Sequence, residues 1–283
     1  MKGFSSEIAR RPSAFVALAL IVAVMAAAAL APWIAPFPPD AQPFDGLSMD
    51  GAPLPPGSKY WLGTDTLGRD LLSRLLFGAR TSLVIGLVAN GVAVLIGMIV
   101  GVVGGYLGGF FGNLVMRFTD LMMAFPALLL AIVLAALLHP SLWIVAMVIA
   151  LVNWVQVARI VFTETRGLVE RDFILAERSL GAGHARILAL HIAPHLLPTA
   201  IVWGTLGIAT TVLLEATLSF LGVGVQPPQP SWGNIINESQ SYFQAAPWLV
   251  FIPGAVILTT ALSFNLVGDA LRDLLDPTQR GRG

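Results

Sequence analysis

Long stretches without charge limit what this sequence can fold into. Residues 81–106 and residues 121–158 contain no Asp, Glu, Lys or Arg. Hydrophobic residues make up 56% of the chain and charged residues only 11%, whereas a soluble domain carries about 25% charged residues. A helix that crosses a bilayer needs about 20 predominantly apolar residues. We therefore predict an all-α integral membrane protein.

The apolar stretches predict six transmembrane helices. The stretch 121–158 is too long for one crossing and suits two helices, with His139, Pro140 and Ser141 as the hairpin because proline interrupts helices. The first apolar stretch is longer than the core of a cleaved signal peptide, which spans about 7–15 residues, so it is predicted to remain as an anchor, with a cleaved signal peptide as the alternative. The other expected helices lie within residues 13–35, 81–106, 187–214 and 247–268.

The basic residues predict the orientation of these helices. With the N-terminus inside, twelve of the sixteen Lys and Arg residues fall on the cytoplasmic side, as the positive-inside rule requires. Both termini are then cytoplasmic. The predicted divisions are a cytoplasmic N-terminus with the first helix (1–36), an extracytoplasmic loop with an amphipathic segment (37–80), a five-helix core (81–268) that includes a cytoplasmic loop (164–194), and a cytoplasmic tail (269–283).

Composition argues against several classes of function. The net charge is zero, which gives no basic surface for nucleic acid, and the absence of cysteine excludes thiolate metal sites. Lys2 and Lys59 are the only lysines and neither lies in a phosphate-binding loop, so the chain is not expected to hydrolyse ATP. His191 and His195 are four residues apart, but Pro194 interrupts the turn and no third ligand is evident. We expect no catalytic residue, no metal and no cofactor.

The cytoplasmic loop 164–194 is polar and rich in arginine, although apolar stretches flank it. Gly181 and Gly183 permit a tight turn between two short helices. Arg178, His184 and Arg186 can meet acidic groups or carbonyl oxygens of a partner. This loop is therefore the candidate contact with a soluble protein.

The spacing of Ala176, Gly181 and Pro194 resembles the signature loop of importer permeases of the ATP-binding-cassette class. Leu175 and Glu177 depart from that signature, which has Glu and Ala there. Further blocks resemble the C-type subunit of the dipeptide, oligopeptide and nickel permease family, and they span residues 58–277 in the family's order. They lie at residues 61–70, 104–109, 215–222, 231–233 and 264–273.

This resemblance implies a type I importer permease in the bacterial inner membrane. Its expected partners are a second homologous permease, two ATP-binding subunits and an extracytoplasmic substrate-binding protein, and the permease itself lies in the lipid bilayer. The expected substrate is a di- or oligopeptide, with nickel, glutathione or another small solute as alternatives. A coupling helix would dock on the ATPase, and the residues expected to serve it are Ala176, Glu177, Arg178, Gly181, Ala182, Gly183, His184, Arg186 and Pro194.

Other polar positions allow more than one interpretation. Glu215 is either an interfacial carboxylate that caps the following loop or a residue of the translocation path, where Asn153 and Gln156 are further candidates. Asp65, Arg69 and Asp70 belong either to an interfacial helix that braces the second span or to a contact with the binding protein. An ion-coupled secondary transporter is the rival class. It predicts an ion-binding constellation in broken helices, and the sequence shows none.

Overall fold

The computed structural model describes residues 12–138 and 141–275, and this part of the chain is almost entirely helical. Helix α7 (His184–Ile187) continues through a π-helical turn, Leu188–Ile192, into α8 (Ala193–Phe220), so that His184–Phe220 is one helix long enough to span a membrane. A short 3-10 turn, Gln240–Tyr242, follows α9 (Trp232–Glu238). The α-helices are α1 Pro12–Ile34, α2 Leu71–Leu107, α3 Gly109–Met123, α4 Ala127–Leu137, α5 Leu142–Val169, α6 Asp172–Ser179, α7 His184–Ile187, α8 Ala193–Phe220, α9 Trp232–Glu238 and α10 Trp248–Leu275.

Within the described residues, five helices are long and apolar enough to cross a membrane. A sixth crossing is formed if α3 and α4, which meet at 84°, count as one broken span. The all-α membrane fold is thus confirmed, but the predicted third span is not one straight helix. Pro126 lacks an amide hydrogen and disfavours helical backbone at Phe125, which separates the two pieces.

Helix α2 begins ten residues before the predicted span. Asp70 caps it, because its carboxylate accepts hydrogen bonds from the amide and the hydroxyl of Ser73 at 2.8 and 2.6 Å. The predicted amphipathic segment is therefore partly the first turns of α2. At the predicted hairpin, Ser141 caps α5 by accepting from the amide of Ile144 at 3.3 Å, whereas His139 and Pro140 lie outside the described residues.

Helices α2 and α5 pack through glycines at every fourth position of α2. A Cβ atom built on Gly101 would lie 2.6 Å from the carbonyl oxygen of Ala158, and one on Gly105 would lie 2.8 Å from that of Phe162. Gly97 is equally close to α5. Small residues at this spacing allow helix backbones to approach closely in a membrane. These glycines therefore bring the backbones of α2 and α5 into direct contact.

The helix bundle has two chemically different ends. The arginine-rich end carries residues 159–192, the end of α2 and the end of α10. The opposite end carries residues 37–70 and 222–247. Ala14 of α1 packs beside Ala270 of α10, so both ends of the described chain lie at the arginine-rich end. That this end faces the cytoplasm stays a prediction.

Candidate coupling segment and polar interior

Helix α6, the turn 180–183 and helix α7 form a compact unit at the arginine-rich end, here called the coupling segment. Gly181 has φ 83° and ends α6, where the amide of Ala182 donates to the carbonyl of Glu177 and that of Gly181 to the carbonyl of Arg178, both at 3.0 Å. This is a Schellman cap, which favours glycine because other residues are strained there. Gly183 has φ −69° and simply precedes α7, so only Gly181 is required by the backbone.

Two buried isoleucines anchor the coupling segment while its polar residues face outward. Ile174 and Ile187 are fully buried. Leu180, at the tip, is 84% exposed, and Glu177 and Ala182 are half-buried. The predicted coupling residues that are exposed are Ala176, Arg178, Gly181, Gly183, His184, Arg186 and, at the start of α8, Pro194. Apart from Pro194, which lies on α8, the predicted residues are thus brought together on the coupling segment.

Tyr106, near the end of α2, ties the coupling segment to the membrane helices. Its hydroxyl lies 2.7 Å from Nδ1 of His184, and the guanidinium of Arg178 lies 5.2 Å from the centre of its ring. Glu177 and His191 add a contact of 3.6 Å between α6 and the π-helical turn. Tyr106 was not among the residues predicted to serve the coupling helix. Its position directly after the α2 glycines was the available signal.

Glu215 lies inside the protein rather than at its surface. It is fully buried, and its two carboxylate oxygens accept hydrogen bonds from the hydroxyls of Ser82 and Ser219, each at 2.7 Å. Ser82 also accepts from the amide of Trp232, at 3.3 Å. Glu215 therefore joins α8 to α2 and, through Ser82, to α9. This burial supports neither an interfacial position nor a place on the wall of an open path.

The other two predicted path residues differ from each other. Asn153 donates to the hydroxyl of Thr211 at 3.3 Å and so links α5 to α8. Gln156 is exposed on α5. Of the three predicted path residues, only Gln156 has an exposed polar side chain without a hydrogen-bond partner among the described residues.

Asp65, Arg69 and Asp70 are buried at the opposite end, with exposures of 2%, 4% and 2%. Asp65 accepts from Nε of Arg69 at 2.6 Å and from Arg74 at 2.7 Å. Both arginines also pair with Glu238 of α9. Burial raises the pKa of the Glu238 carboxyl, and the positive charge of Arg69 opposes this shift.

This ion-pair cluster bears on the predicted contact with a binding protein. Side chains that are buried and paired with one another cannot present themselves to a partner in this conformation. The geometry favours the bracing interpretation, because Asp70 caps α2 and Glu238 clamps α9 to it. Trp61 and Leu67 of the same loop, which are 68% and 48% exposed, offer accessible surface instead.

Comparison with known proteins agrees with this architecture. Residues 93–281 match the family described as binding-protein-dependent transport system inner membrane component. The chain belongs to this family. Residues 6–56 of the permease also match the N-terminal transmembrane domain of oligopeptide transport permease C.

Individual relatives resemble the permease over nearly its whole length. The dipeptide transport system permease protein DppC of Escherichia coli (strain K12) is 45% identical over 269 residues, which cover 95% of this chain and 90% of that protein. The di/tripeptide transport system permease protein DppC of Pseudomonas aeruginosa is 38% identical over 278 residues, covering 98% and 92%. The DppC protein of Haemophilus influenzae is 40% identical over 265 residues, covering 93% and 90%.

Proposed function

We propose that this permease is one of two transmembrane subunits of an ATP-driven importer of dipeptides in the bacterial inner membrane. The similarity to dipeptide permeases along nearly the full length of both chains carries the assignment of substrate. Its partners are a homologous permease, two ATP-binding subunits and an extracytoplasmic substrate-binding protein. The translocation path lies between the two permeases.

The coupling segment supplies the link to ATP hydrolysis in this proposal. The chain has no phosphate-binding loop, so energy enters through contact with the ATP-binding subunits. The exposed side chains of α6 and α7 form that contact, and their cationic groups suit acidic or carbonyl acceptors. Tyr106 then transmits a displacement of the segment to α2. The arginine-rich end faces the cytoplasm in this arrangement, in keeping with the positive-inside rule.

Two substitutions in the coupling segment test its role. Gly181→Val forces a β-branched residue into a left-handed backbone, a strain of about 1–2 kcal/mol or more. Arg186→Glu reverses an exposed charge. Both are expected to reduce the amount of ATP-binding subunit that co-purifies with the permease and to reduce ATP-dependent uptake of a labelled dipeptide into proteoliposomes that contain the binding protein.

Matched controls separate the coupling role from general damage. Gly183→Ala lies in the same turn, at a φ of −69° with no atom within 4 Å of the added Cβ, and Arg117→Glu reverses an exposed charge on α3. Both are expected to leave assembly and uptake unchanged. Normal ATPase association and uptake in Gly181→Val and Arg186→Glu would refute the coupling assignment. Uptake of Ni²⁺ or glutathione in place of dipeptide would refute the assigned substrate.

A further inference from the structure

A cavity of about 870 Å³ opens at the arginine-rich end between α5, α8 and α10. Its volume lies within the range of about 300–1,000 Å³ that is typical of small-molecule sites. Aromatic and aliphatic side chains form much of the wall, among them Ile160, Val202, Trp203 and Leu206. Glu164, Thr199, His195 and Arg272 add polar groups. Such a lining suits a ligand that has both an apolar body and charged ends.

The two formal charges of the cavity come from different walls. Glu164 projects from α5, and the hydroxyl of Thr199 on α8 donates to one of its carboxylate oxygens at 2.7 Å, which holds the carboxylate in place. Arg272 lies in the last turn of α10. Within residues 12–138 and 141–275, neither Glu164 nor Arg272 is part of an ion pair. The negative side chain of Glu164 and the positive side chain of Arg272 thus line the same cavity without forming an ion pair with each other.

A backbone acceptor lies beside these side chains. Pro198 has no amide hydrogen, so the carbonyl of Pro194 lacks the donor that an α-helix supplies four residues later. Both prolines line the cavity.

We propose that this cavity is a binding site for a short zwitterionic peptide on the arginine-rich side of the permease. Glu164 and the carbonyl of Pro194 accept hydrogen bonds from the α-ammonium group, and Arg272 donates to the α-carboxylate. Trp203 and Leu206 contact the apolar parts of the peptide. The proposal rests on the proposed function, since it assigns the place where a transported dipeptide pauses before release.

Protection from chemical labelling tests this site in the complete importer. The chain contains no cysteine, so Ile160→Cys places a single thiol of this subunit on the cavity wall. The assembled complex in nanodiscs is labelled with a maleimide, and the rate is followed on this subunit after electrophoresis. A dipeptide with free termini is expected to slow labelling. The same dipeptide with an acetylated amino end and an amidated carboxyl end is not.

Charge substitutions extend the test to the named residues. Glu164→Gln keeps the hydrogen bond with Thr199 but removes the charge, and Arg272→Gln removes the opposite charge. Each is expected to raise the dipeptide concentration needed for half-protection by about twofold to fivefold, as expected for the loss of one ion pair between solvent-exposed groups. Glu170→Gln and Arg166→Gln, which remove a pair of exposed charges at the end of α5 outside the cavity, should change nothing.

The outcomes separate this inference from the proposed function. Equal protection by free and blocked dipeptides overturns the site, and this comparison needs no charge variant to assemble. Unchanged half-protection in both Glu164→Gln and Arg272→Gln also overturns it. If the unsubstituted importer takes up dipeptide but the dipeptide does not protect the thiol of Ile160→Cys, the cavity assignment is wrong and the proposed function stands. Absence of dipeptide uptake by the unsubstituted importer defeats the proposed function.

Discussion

Adding one methyl group at Gly101 should separate α2 from α5 and destabilise the permease. The new Cβ would lie 2.6 Å from the carbonyl oxygen of Ala158 and 2.7 Å from Cβ of Val161. Relief requires the two backbones to move apart, because a carbonyl oxygen cannot rotate away as a flexible side chain can. Overpacking of this kind costs about 1–3 kcal/mol. The α2–α5 contact should loosen along the Gly97–Gly105 stripe.

Gly91→Ala on the same helix provides the matched control. No atom lies within 4 Å of its added Cβ, and alanine is favoured over glycine in a helix by about 1 kcal/mol. Unfolding of the purified permease is followed in detergent with increasing dodecyl sulfate. Gly91→Ala should leave the free energy of unfolding equal or higher, and Gly101→Ala should lie about 1–3 kcal/mol below Gly91→Ala, because both variants gain the same helix propensity. Equal free energies for the two variants would refute direct backbone packing at Gly101.

Three further changes probe other contacts. Glu215→Ala leaves two buried serine hydroxyls without their acceptor and should cost about 1–3 kcal/mol for each, measured as a lower melting temperature. Trp232→Ala removes a fully buried side chain at the opposite end and should cost about 3–5 kcal/mol in the same assay. Tyr106→Phe removes the bond to His184 and should raise amide hydrogen exchange in residues 172–187.

Each of these changes has its own comparison. Glu215→Gln keeps an acceptor and should be milder than Glu215→Ala; equal losses would show that the serine contacts contribute nothing. Phe243→Ala removes an aromatic ring that is 47% exposed and should cost much less than Trp232→Ala. Leu107→Ala, next to Tyr106 and 58% exposed, should leave hydrogen exchange of the coupling segment unchanged. An equal rise in both variants would contradict a specific role for the tyrosine.

Helix type and approximate span were predictable because uncharged stretches of membrane length have few alternatives. The structure differs from the predicted helix bounds at two places, the start of α2 and the break between α3 and α4. The predicted loop 37–80 included Arg74, yet this residue lies within α2, where Asp65 and Glu238 pair with it. Pro126 carried the signal for the break between α3 and α4.

The candidate site was predictable only in part. The coupling segment was evident because its glycines, charges and flanking apolar helices are contiguous in sequence. The burial of Asp65 and Arg69 was not, since it depends on Glu238, which is distant along the chain and nearby only in the fold. The contact between Tyr106 and His184 was unpredictable for the same reason, because these residues are also far apart along the chain. Long-range pairings of this kind leave no periodic pattern in a single sequence.

The unbroken length of α2 has a mechanical consequence. The helix has 37 residues, and at about 1.5 Å per residue it is about 55 Å long. Tyr106 near one end holds the coupling segment, while Ser82 and Leu75 near the other end hold Trp232 of α9. The helix contains no proline, which is a common cause of sharp kinks. A tilt of α2 as one body at the coupling segment would therefore move the loop that contains α9 at the opposite end.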